Sequence, residues 1–411
     1  MVETWQGVRR VAFVPVSNRQ VDNSVPSDFR ELVYQRAFID PDPTTNVDRS
    51  LKAYIHAVSS GRATLTGFVF PPVAADDADV VGAGLRSLPS LKLPFVPAIP
   101  IHGFDFAVMV LPHDFGSHRG GYAWYPGSTV NGVSFYARTA LFTSPAFSAR
   151  QSVGVWAMEV LHMICRFGDL YYSNPPIGRF DVMSCACGTH PSSYTKSRFG
   201  WLTASAIVNH PIGSSNEYAL AAVSYPQPPP PGRATAIRLS SQTDTSFLMF
   251  EARDRTDTYE SQSVVSSGIP SEGLVVYRVQ DTTDVVLKAS GLTVGNTYHD
   301  PDEDCDVRVE EQIPGGYRIA VTSRATVTCR RLAAKAEALQ QLLQLEQDIN
   351  KRKQLISALA GVWAEMRNLN CGLPAPPDGE IAAWDESVGG RLIGPRLDDV
   401  VSSDGPAGKR S

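Results

Sequence analysis

The chain has 411 residues, enough for two or three domains, and its 43% apolar content can supply each with a core. Lys plus Arg number 37 against 42 Asp plus Glu, so no basic excess exists to neutralise a phosphate backbone and nucleic acid is not an expected partner. No apolar run reaches the roughly 18 residues of a membrane span, and six cysteines are too few in this length for a disulfide scaffold.

Arg9 and Arg10 precede residues 11–16 (VAFVPV), an apolar run too short for the core of a signal peptide and suited to a first strand. The expected compartment is therefore the cytoplasm, unless an export signal lies outside this sequence. Residues 51–59 carry Leu51, Ile55 and Val58 at helical spacing, 63–70 read as a strand, and 104–111 as a buried one. Between these strands a Pro-rich loop spans 88–100. Residues 148–164 read as a long helix, with Val153, Trp156, Ala157, Val160, Leu161 and Ile164 at helical offsets. Residues 1–203 thus form an α-plus-β half.

From Ala204 the segments 218–223, 234–239, 247–252, 274–279 and 317–321 are short, β-branched or aromatic, and separated by turn residues. This spacing predicts a small β-sandwich over 204–330, with Pro228 to Gly232 as a hairpin-end loop or stiff spacer. Residues 331–370 lack proline. Leu342, Leu345, Ile349, Ile356, Leu359, Trp363 and Met366 make a heptad seam there, interrupted by Arg352. One continuous helix of about 60 Å is predicted, docked on the chain's own body or on a partner. A homodimeric coiled coil is disfavoured, because Arg352, Lys351 and Lys353 would meet their own copies. Residues 371–411, rich in Pro, Gly, Asp and Ser, read as a flexible tail.

Most chemical information lies in Met158-Glu159-Val160-Leu161-His162. A zinc-peptidase helix carries His at i and i+4, which lie on one face and grip one metal, while Glu at i+1 serves the bound water as general base. Glu159 and His162 hold the second and fifth positions of that pattern, and Met158 the first. Alone, the pair reads more simply as a helical carboxylate and a hydrogen-bonded histidine.

Other segments enlarge the pattern. Gly178-Arg179-Phe180-Asp181-Val182-Met183-Ser184 and the stretch from Pro191 to Leu202, with Lys196-Ser197-Arg198-Phe199-Gly200-Trp201 inside it, follow in order. So do Tyr54 to Gly67, Gly120-Gly121-Tyr122-Ala123-Trp124, Phe247 to Arg253 and Ile269 to Val279. Together these resemble the immune-inhibitor-A-like family of zinc metallopeptidases over roughly residues 10–325. In that family a phrase like HEFGHALGLPDLYD ends the long helix, and a D-L-M-S turn places a Met beneath the metal.

The resemblance implies an α+β fold: a zincin-like metallopeptidase domain, then a β-sandwich, then the helix and tail. It puts Glu159 at the general-base position, His162 among the metal ligands and Met183 at the site floor. Three departures follow. Met158 replaces the first metal-binding His, Cys165 replaces a Gly, and the third ligand's position falls on Gly168, with Asp169 displaced by one. A thioether is a poor zinc ligand beside imidazole, so zinc is expected to bind weakly or not at all and Glu159 to be vestigial. The expected function is an inactive binding or structural module that takes a peptide or protein partner. The alternative is an active zinc metalloendopeptidase with an altered site. The family is usually secreted, which opposes the cytoplasmic expectation.

Further candidates are weaker. Cys165, Cys185 and Cys187 would cluster near the vacated metal position, either as a rebuilt thiolate-rich site or as small side chains filling a cavity. Cys305 and Cys329 could bridge in a secreted protein. His113 and His118 follow a buried strand and read as solvent-facing. Asp302, Glu303, Asp304 and Asp306 form an acidic loop, read as solvated rather than calcium-binding.

Overall fold

A computed structural model describes residues 2–18, 27–75, 103–110, 121–124, 129–130, 133–134, 138–142, 152–242, 244–369 and 371. The loop at 88–100, His113, His118 and the tail from 372 onward lie outside these residues. The architecture is mixed α+β.

The first unit is built on one sheet. Its strands are β1 (Gly7–Asn18), β2 (Ala63–Val69), β3 (Val73–Ala75), β4 (Phe106–Val110), β5 (Gly121–Trp124) and a later strand at Arg138–Phe142. Two short strands, β6 (Thr129–Val130) and β7 (Val133–Ser134), pair only with each other, so the later strand is β8. The order is β2-β1-β4-β8-β5, with β3 continuing beside β1. Val11 pairs with Gly67 on one side and Phe106 on the other, both in parallel register. Val11, Ala12, Phe13 and Val14 are all buried, as expected of a strand covered on both faces. The glycine-aromatic segment forms β5, antiparallel to β8 at the sheet edge.

Helices cover this sheet: α1 (Phe29–Phe38), α2 (Leu51–Val58) and α3 (Ser152–Cys165). Ser50 starts α2 by accepting the Ala53 N–H on its hydroxyl. Along α3, Val153, Trp156, Ala157, Met158, Val160, Leu161 and Ile164 are buried, so the helix is enclosed nearly all round. It packs on β5, β8, α2 and a short helix, α4 (Val182–Cys185). A second short helix, α5 (Ser193–Arg198), follows, started by Ser192 through the Thr195 N–H.

The second unit has two five-stranded sheets. One runs β15 (Val285–Leu292), β14 (Gly273–Val279), β13 (Phe247–Arg253), β12 (Ala236–Ser240), β9 (Ile207–Asn209). The other runs β11 (Arg233–Ala234), β10 (Ser215–Ala221), β18 (Gly316–Ser323), β17 (Cys305–Ile313), β16 (Thr297–Asp300). Ile237, Leu248, Phe250 and Val276 of the first share a core with Leu220, Val307, Ile319 and Val321 of the second. The first sheet's opposite face, with Met249, Val275, Tyr277 and Val279, joins the core of the first unit. Burial on both faces fits the composition of β14, apolar apart from Arg278 near its end: all seven of its residues are buried.

Three expectations are corrected. The proline loop does not end a hairpin, because β10 and β11, which flank it, run parallel. Residues 331–370 do not form one 60 Å helix. They belong to a helical hairpin, α6 (Thr326–Leu345) and α7 (Ile349–Asn368), whose arms pack on each other. Asp348 caps α7 by accepting the N–H groups of Asn350 and Lys351. Arg352 donates to the carbonyls of Leu343 and Glu346 and so satisfies the end of α6, which is why a charge interrupts the seam. Leu359, Trp363 and Met366 are buried in the hairpin, whereas Leu342, Leu345 and Ile349 are exposed at its tip. Finally, Cys329 bridges Cys371 and closes the hairpin base, while Cys305 is a free, buried thiol.

Gly154 fixes how closely α3 approaches α4. A Cβ there would stand 2.1 Å from the Ala186 carbonyl oxygen and 2.4 Å from the Gly188 nitrogen. Gly154→Ala is expected to destabilise the chain by about 1–3 kcal/mol or more, since backbone must move to admit the methyl. Urea unfolding of the variant checks this, and an unchanged midpoint would contradict the packing described.

Candidate functional site

Glu159 and His162 stand one turn apart on α3, and both are nearly buried. The loop after the helix brings Asp169 to the same place, where its Oδ1 lies 2.9 Å from His162 Nε2. The displaced aspartate therefore reaches the histidine. The other ring nitrogen, Nδ1, faces the Phe167 carbonyl. Both nitrogens thus meet acceptors, and only an imidazolium can donate to both. Burial opposes that charge, but the Asp169 hydrogen bond, the Glu159 carboxylate and the Phe167 carbonyl outweigh it, and the His162 pKa is raised.

Glu159 interacts electrostatically with both members of this pair. Burial pushes its pKa up to about 7, with His162 acting against the rise and Asp169 with it. Around the pair, the Tyr171 hydroxyl donates to Asp169 Oδ2 at 2.9 Å, and the adjacent Tyr172 is 78% exposed, an aromatic rim beside the carboxylate. Met183, in α4, is fully buried, and its carbonyl accepts the Leu170 N–H, tying the loop that carries Asp169 to the layer containing α4.

The donor set does not fit a three-ligand zinc ion. Met158 belongs to the apolar cluster, leaving His162 and Asp169 as the ligand positions. Among the described residues no group of three His, Cys, Asp or Glu side chains is placed to hold a metal ion. Gly168, where the resemblance puts the third ligand, is crowded: a Cβ there would lie 2.6 Å from Thr283 Cγ2. The thiolate-rich site is corrected as well. Cys185 and Cys187 bridge each other, and Cys165 is buried in the apolar cluster.

The acidic loop carries its own cations. Arg278 meets Glu303 at 2.7 Å and Asp300 at 3.2 Å, and Arg324 meets Asp304 at 2.9 Å and Asp306 at 2.7 Å. Two guanidiniums therefore stand among the carboxylates where a calcium ion would have to enter.

A buried polar network joins β13, the loop after it, α5 and the segment around Phe180 and Asp181. Arg253 is fully buried, pairs with Glu251 and Glu260 at 2.8 Å each, and donates to the Phe180 carbonyl. Asp181 accepts the Met183 and Ser192 N–H groups and the Thr195 hydroxyl. Lys196 Nζ lies 2.9 Å from His190 Nδ1 and donates to the Val223 carbonyl, while His190 Nε2 meets Asp257 at 3.0 Å. Burial, then Arg253, drives the Lys196 pKa down to about 7. The Glu251-x-Arg253 spacing was a usable signal, since residues two apart in a strand share a face. Glu260, Asp257 and His190 had none, because loops far apart in sequence bring them together.

No protein-family model matches the sequence, and no curated protein matches it significantly.

Glu159 also yields a pH signature. Its ordinary value of 4.5 rises to about 7 on folding, so between these the folded chain holds a proton that the unfolded chain has released. Its contribution to stability therefore falls as pH rises through that window and is level above it. Relative to the parent, Glu159→Gln should gain stability across the window by on the order of 3 kcal/mol at most. Urea midpoints at about pH 5 and about pH 8 measure the difference, and equal gains at both would contradict a carboxyl whose pKa is raised by burial.

Proposed function

We propose that this chain is a degenerate homologue of the immune-inhibitor-A-like zinc metallopeptidases. Its zincin-like domain (1–203) and β-sandwich (204–330) act as a binding or structural module for a peptide or protein partner rather than as a hydrolase. The observation that carries this reading is the His162–Asp169 ion pair at 2.9 Å beside Met158. His162 and Asp169 satisfy each other, and a thioether buried among apolar side chains stands where the resemblance puts the first imidazole. Without a metal-bound water, Glu159 has no reaction to assist. The order of the elements supports the homology: a mainly parallel sheet with an antiparallel edge strand, the long helix, the turn carrying Met183, and then two facing sheets.

One observation favours the alternative, an active zinc metalloendopeptidase with an altered site. A His that binds metal through Nε2 commonly donates Nδ1–H to a backbone carbonyl, and Phe167 supplies one here. With Asp169 next to Nε2, two of three ligands would be in place.

The bridges Cys185–Cys187 and Cys329–Cys371 favour an oxidising compartment over the cytoplasm for either reading.

Metal analysis of the purified chain with a caseinolytic assay separates the two. The module reading expects zinc far below one ion per chain and no chelator-sensitive proteolysis. Met158→His should raise zinc affinity by at least about tenfold, since it restores the i, i+4 imidazole pair. Near-stoichiometric zinc with chelator-sensitive proteolysis in the parent chain would overturn the proposal.

A further inference from the structure

A cavity of about 490 Å³ opens between the end of α5, the short edge strand β9 and the turn after β14. Arg198 and Arg238 line it, with Asp281 as its one carboxylate, so the lining carries two guanidiniums against one acid. Arg238 lies with its guanidinium carbon 4.0 Å from the Phe247 ring centroid. Its Nε is buried without a hydrogen-bond partner. Among the described residues no carboxylate pairs with Arg238 or with Arg198.

A buried N–H with no acceptor is costly, and protein sites that keep one commonly supply the acceptor from a ligand or water. The fork of an arginine matches a carboxylate in two parallel hydrogen bonds, and stacking on Phe247 holds that fork flat. The cavity adds apolar surface from Phe247 and Met249 beside polar groups on Asn209 and Thr245. The net positive charge is small, which suits a monoanion better than a doubly charged phosphate.

We infer that this cavity is a binding site for a monocarboxylate with an apolar or aromatic body, held by Arg238 and Arg198. The acid is either a free small molecule or the C-terminus of a peptide. The assignment rests on Arg238 and Arg198 and not on the reading of Glu159 and His162, so it stands whether or not the chain is a peptidase homologue.

Calorimetric titration of the full chain tests it with four probes: 3-phenylpropionate, the tripeptide Ala-Ala-Phe, the same tripeptide amidated, and inorganic phosphate. Saturable binding of 3-phenylpropionate or free Ala-Ala-Phe, with loss on amidation, is the expected result. Binding of both assigns a general carboxylate site, whereas binding of one alone identifies the source as a free acid or a peptide end. Arg238→Gln should weaken binding by about tenfold or more, and Arg238→Lys, which keeps the charge but lacks the fork, should recover only part. Arg198→Gln, at an exposed position, should also weaken binding and keeps the test open if the Arg238 variants fail to fold. Absence of saturation by either carboxylate, phosphate binding as tight as theirs, or unaltered affinity in folded arginine variants would overturn the assignment.

Discussion

The Arg253 guanidinium is the interaction on which the rest of the molecule depends. It is sealed from water and satisfied by two carboxylates and a carbonyl. Those partners come from three places: its own strand, the loop after it, and the turn that precedes Met183. Removing one member of such a set leaves uncompensated charge inside the protein, a cost of roughly 3–5 kcal/mol. The set therefore fixes the relative position of the helical layer and the sheet beneath it. Glu251 extends the constraint, because its second oxygen accepts the Ser193 N–H and the Tyr277 hydroxyl. The first turn of α5 is thus anchored to two strands through one side chain.

This anchoring explains the arrangement around Glu159. Met183 and the Asp169 loop are joined by a backbone hydrogen bond, and Met183 follows the carbonyl that Arg253 holds by three residues. The geometry of the His162–Asp169 pair is thereby referred, through a few bonded steps, to a network in which each carboxylate accepts several donors. A helix buried nearly all round, with Gly154 pressed on the α4 turn, gives the pair little freedom to rearrange.

Much of this was legible in the sequence where burial imposes a period. The segment 63–70 and the helical offsets of Val153, Trp156, Val160 and Ile164 each gave an element close to its observed bounds, while the apolar run at 11–16 marked only the centre of β1, which spans Gly7–Asn18. Periodicity misled at 331–370, where a heptad seam crosses a turn: Asp348 as an N-cap was the local signal, and Arg352 the second. The cysteine partners were not legible, since Cys371 meets Cys329 only because the hairpin folds back. Strands β15 and β16 were missed because exposed polar residues alternate with few apolar ones, as in the half-buried β15, whereas β17 carried a usable period of two in Cys305, Val307 and Val309. At the site, Asp169 stands one residue beyond the position the resemblance gives, and the conformation of the loop at 166–169 brings it to His162. Position in sequence could not reveal that.

Lys196 shows what such a sealed junction means for chemistry from outside. Its amine is enclosed between His190 and the Val223 carbonyl, with 1% of the residue's surface exposed. An acylating reagent or enzyme cannot reach the nitrogen while α5 rests on the sheet. Once the two layers part, the amine becomes an ordinary surface lysine, open to modification. An acyl group placed on it then would oppose reclosure, because the amide keeps a single N–H where the amine served both His190 and the Val223 carbonyl. Acylation at this one position would therefore be a covalent record that the layers had separated.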